Sequence, residues 1–82
     1  MGEFDEADQL LGAAERHLGA LRGAVARGDD PARALDQAAD VQADMDSVVS
    51  SLVGVARARG LSWEAVGAAM SMAGETAQRR FG

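Results

Sequence analysis

The chain has no cysteine, no lysine and no tyrosine, and only one proline, one histidine and one tryptophan in 82 residues. Without cysteine there is neither a disulfide framework nor a thiolate metal site. A lone histidine cannot assemble a zinc site from one chain, so His17 is expected to pack at or beside a helix seam. No apolar run approaches the ~20 residues that cross a bilayer, which excludes a membrane partner for these residues. No strand precedes a glycine-rich loop, and Ser47, Ser50 and Ser51 fall in mid-helix with no base nearby, so no nucleophile is indicated. These absences argue against an enzyme and against a cofactor. The acidic N-terminus is unlike a basic leader segment, and a cytoplasmic protein is expected.

What is present is helical and acidic. Eighteen residues are alanine, and all eight basic residues are arginine, a usage that suits a high-GC genome. The net charge of −5 argues against indiscriminate nucleic-acid binding. Its distribution is uneven. Residues 1–56 carry four arginines against eleven acids, whereas residues 57–82 carry Arg57, Arg59, Arg79 and Arg80 against Glu64 and Glu75. Such a split fits a DNA-binding tip on an acidic body; it also fits the ordinary preference of helix C-termini for arginine. At 82 residues the chain is near the lower limit for an independent core, and chains of this size often recover burial by dimerising.

Two long helices are expected first. The spacing of Phe4, Ala7, Leu11, Ala14, Leu18, Leu21 and Val25 alternates threes and fours, a heptad seam on a helix from Asp5 to Arg27. Leu10, His17 and Ala24 widen it on one side. Gly28 is the expected left-handed cap, and Gly12, Gly19 and Gly23 are expected to mark a close backbone contact. Asp30 and Pro31 then open a second helix to about Arg59, with a seam of Ala34, Ala38, Val41, Met45, Val48, Leu52 and Val55. Asp36, Asp40 and Asp44, with Asp46 nearby, read as a solvated face; a surface for a basic partner or a weak divalent cation is the alternative. Gly60 ends the helix.

The last stretch, Leu61 to Gly82, holds two short helices. Ser62 is an N-cap, and Trp63, Val66 and Met70 share one face, with Trp63 the expected anchor. Gly67 sits where another helix can approach. Ser71 to Gly74 interrupts the run, and a second helix follows to Phe81, with Ala77 and Phe81 inward.

Ser62-Trp63, Val66-Gly67, Ala77 and the closing Arg80-Phe81-Gly82 resemble the helix-turn-helix of small actinobacterial DNA-binding proteins. The match covers about a quarter of the chain. Four positions depart from the pattern: Ser71 stands at the turn glycine and Ala73 at the usual Ser or Thr cap, while Gly74 and Glu75 occupy positions that face the groove.

The expected fold is therefore all-α: a long antiparallel hairpin (1–60) that serves as a dimerisation body, then a helix-turn-helix unit (61–82) packed on the end of the second helix, in one domain overall. The resemblance implies a small homodimeric transcriptional regulator. Gln78 and Arg79 would read bases, with Glu75 on the same face, and Arg80, Arg57 and Arg59 would meet phosphates. Leu10, Leu11, Leu18 and Leu21 are the expected dimer contacts. A module that keeps this fold but binds a larger regulatory protein instead of DNA is the alternative.

Overall fold

A computed structural model describes residues 2–82 and contains four helices: α1 (Asp5–Arg27), α2 (Pro31–Ala58), α3 (Trp63–Ala69) and α4 (Gly74–Phe81). No strand occurs among the described residues. The chain forms two compact units that divide within α2, the first ending at Val49 and the second running from Ser50 to Gly82.

The helix ends follow from local chemistry. Asp5, Glu6 and Asp8 occupy the first turn of α1, where carboxylates complement the exposed N–H groups. Asp30 caps α2: its Oδ1 accepts from the Ala32 N–H at 3.1 Å, and Pro31 fills a position where no N–H is required. Three helix C-termini close the same way. At α1 the Asp29 N–H reaches the Ala24 carbonyl and Gly28 takes φ 68°. At α2 the Leu61 N–H reaches Ala56 and Gly60 takes φ 92°. At α3 the Met72 N–H reaches Gly67 and the left-handed residue is Ser71, φ 58°. This six-to-one closure satisfies carbonyls that the helix itself leaves open, and it requires a positive φ at the residue after the cap.

In the first unit α1 packs against α2 as a hairpin, on only part of the expected seam. The inward row of α1 is Ala7, Leu10, Ala14, Leu21 and Ala24, of which the three alanines are buried and the leucines half-buried. Phe4, Leu11, Leu18 and Val25 point outward. In α2 the row is Ala34, Gln37, Val41, Asp44 and Val48, whereas Met45 is exposed. Ala7, Ala14 and Leu21 on α1 and Ala34, Val41 and Val48 on α2 keep their expected places, while the other half of each seam gives way to the residue beside it: Leu10 and Ala24 on α1, Gln37 and Asp44 on α2. Alanines on α1 allow close approach, and the shift lets His17 Nδ1 meet the Asp44 carboxylate across the hairpin. Asp44 thus leaves the solvated aspartate face to which its spacing assigned it, and His17 stands at the rim of the hairpin contact. In the second unit Leu52, also assigned to the α2 seam, is exposed, while Val53 is buried.

The α1 glycines are not close contacts within the chain. A Cβ at Gly19 meets nothing within 4 Å, and at Gly12 and Gly23 it meets only the guanidinium of an arginine one turn on.

Candidate functional site

The second unit is built around a tight α3–α4 pair. Ser62 Oγ accepts from the Ala65 N–H at 3.1 Å and fixes the start of α3. Val66 and Gly67 are buried on α3, and Ala77 is fully buried on α4. The pair can close because two glycines face backbone. A Cβ at Gly67 would lie 2.6 Å from the Met72 carbonyl oxygen and 3.0 Å from the Gly74 nitrogen. A Cβ at Gly74 would lie 3.0 Å from the Glu64 nitrogen and 3.1 Å from its Cα. Gly74, which the resemblance puts at a groove-facing position, is therefore a packing residue. Real Cβ atoms do not approach other atoms at 2.6 Å, so Gly67 admits no other residue without moving the turn.

The turn carries two weaknesses, both visible in the residues. Ser71 adopts the left-handed conformation that glycine takes at lower cost. Ala73 occupies the N-cap of α4 and supplies no side-chain acceptor to the first-turn N–H groups.

The outward face of α4 is polar. Glu75, Thr76, Gln78, Arg79 and Arg80 are exposed, and Glu75, Gln78 and Arg79 line one shallow, open depression. The three residues that the resemblance placed on the reading face are thus side by side. Thr76 was not singled out from the sequence; its position one residue after Glu75, in the first turn of α4, was the available signal. Arg80 stacks its guanidinium 5.4 Å from the Phe81 ring centre.

The other two arginines differ from each other. The Arg57 guanidinium sits 4.5 Å over the Trp63 ring, and its Nη1 donates to the Leu61 carbonyl at 2.7 Å. It thereby ties the end of α2 to the start of α3, a cation–π contact of about 1 kcal/mol at an exposed site. Arg59 is exposed at the last turn before Gly60. Trp63 is half-buried. All four arginines of residues 57–82 lie in the second unit, which carries +2, against −7 in the first.

No group of three or more potential metal ligands occurs among the described residues, and no helix of the described chain is long and apolar enough to cross a membrane. Leu11 and Leu18 lie on the outer face of α1, whereas Leu10 and Leu21 lie half-buried in the hairpin. No protein-family model, no curated protein and no solved structure matches this chain.

Proposed function

We propose that the second unit is a helix-turn-helix that binds duplex DNA through α4, and that the chain acts as a small transcriptional regulator in the cytoplasm. The observation that carries this is the α3–α4 pair: a glycine-locked scaffold that leaves Gln78 and Arg79 together on an exposed face. Gln pairs with adenine and Arg with guanine in the major groove. Arg59 and Arg80 lie in the same unit and supply phosphate contacts, which set position rather than sequence. Arg57 holds the α2–α3 corner, and its phosphate role is secondary to that. The concentration of positive charge in this unit alone supports the same assignment.

One observation favours a second possibility, that the unit binds a regulatory protein. Glu75 shares the depression with Gln78 and Arg79, and a carboxylate repels phosphate. A gel shift with mixed genomic duplexes at about 50 mM salt separates the two, because non-specific electrostatic binding is strongest at low salt. Binding at tens of micromolar or tighter is expected, and Arg79→Ala is expected to weaken it at least about tenfold. No shift for the unaltered chain, with capture of one stoichiometric protein partner, would establish the alternative.

A further inference from the structure

The outer face of α1 carries large apolar side chains at a strict seven-residue interval. Phe4, Leu11, Leu18 and Val25 are 47, 40, 46 and 66 % exposed. Isolated exposed leucines are ordinary, but a row of large side chains along 22 residues of one helix is a contact surface. The hairpin does not use it; its inward α1 residues are Ala7, Leu10, Ala14, Leu21 and Ala24, with His17 at the rim.

We propose that this row is where two copies of the chain meet, with their α1 helices antiparallel about a twofold axis that passes between Leu11 and Leu18. Three observations select a second copy as the occupant. First, the row reads the same from both ends. About its midpoint, Leu11 falls opposite Leu18 of the second copy, and Phe4 falls opposite Val25, so the largest side chain meets the smallest. Residue i meeting j while j meets i is the requirement of a twofold interface.

Second, the bordering charges suit that direction. Asp8, Glu15 and Arg22 run along the solvent side of the row, again seven apart. Antiparallel pairing brings Asp8 to Arg22 of the second copy twice, and neither is ion-paired among the described residues. Only Glu15 meets its own copy, near the axis. Parallel pairing would instead put the two rows on opposite sides of the seam, where Asp8 and Arg22 do not meet.

Third, the single chain buries only small side chains. Among the described residues the buried apolar side chains are alanine and valine, so burying two rows of leucine and phenylalanine adds the large side chains that the monomer leaves in water.

The proposal stands on α1 alone and is independent of DNA binding. Sedimentation of the unaltered chain at about 100 µM is expected to give a dimer of about 17 kDa. Leu18→Asp is expected to raise the dissociation constant at least about 100-fold, because the change, present in both copies, removes both Leu11–Leu18 contacts across the axis. Should that variant also unfold, direction is still measurable without it. The chain has no cysteine, so single cysteines can be crosslinked with a short thiol-to-thiol reagent. Glu15→Cys is expected to crosslink to itself. Asp8→Cys alone is not, but a mixture of Asp8→Cys and Arg22→Cys chains is. A well-folded monomer at that concentration overturns the proposal, as does self-crosslinking of Asp8→Cys equal to that of Glu15→Cys.

Discussion

The two units use the same residue type in opposite ways. In the second unit Gly67 and Gly74 are pressed against backbone, and every fixed feature of the α3–α4 pair depends on that approach. In the first unit Gly19 faces open space and Gly12 nearly so, while Leu11 and Leu18 stand outside the hairpin and three alanines are its buried α1 residues. The second unit exposes Leu52 and Leu61; the first exposes Phe4, Leu11, Leu18, Val25, Leu35 and Met45, four of them in one row on the outer side of the hairpin. A glycine therefore has no fixed meaning in a helix. Its neighbours decide whether it is a requirement or a weakness.

The largest effect expected from that contrast is at Gly67. Gly67→Ala places a methyl against the Met72 carbonyl and should destabilise the chain by about 1–3 kcal/mol, read as a lower denaturant midpoint. The identical change at Gly19 should act in the opposite direction. Gly19→Ala meets nothing in the chain and recovers helix propensity, about 1 kcal/mol of added stability, measured at matched protein concentration because self-association also shifts stability. If both substitutions destabilise equally, the distinction between the units is wrong. A smaller effect is expected at the turn. Ser71→Gly relieves a left-handed serine and should stabilise by up to about 1 kcal/mol, less the extra freedom glycine gains in the unfolded chain.

The helix ends were legible in the sequence, because each is a local event. Gly28, Asp30, Gly60 and Ser62 carry the chemistry of their positions, and the strain at Ser71 follows from its place at the turn. The all-helical class was legible from heptad spacing. The face of each long helix that packs was legible only in part: Ala7, Ala14 and Leu21, and Ala34, Val41 and Val48, face inward as expected, whereas Leu11, Leu18, Met45 and Leu52 do not. Alpha1 has two adjacent apolar rows, and a period of three and four residues fits either one. What decides between them is the size of side chain the hairpin admits, together with a polar pair, His17 with Asp44, formed by residues 27 positions apart. Exposure of Gln78 and Arg79 on α4 was legible once Ala77 was placed inward. The use of Arg57 was not, since its contacts, Trp63 and the Leu61 carbonyl, exist only after the chain turns at Gly60.

The central claim is that the α4 face meets the phosphates and bases of DNA, and Glu75 tests it most directly. Glu75 lies in the depression with Gln78 and Arg79 but in no packing contact that the α3–α4 pair requires. Removing its charge should cost the helix no more than about 1 kcal/mol at the first turn. Fluorescence anisotropy of a labelled duplex, titrated with the unaltered chain and with Glu75→Gln at equal low salt, reads the effect on binding. If α4 lies on DNA, the variant should bind about three- to tenfold more tightly, as expected when one repulsive charge is removed beside a phosphate. Unchanged affinity, or no binding by either chain, would contradict the claim.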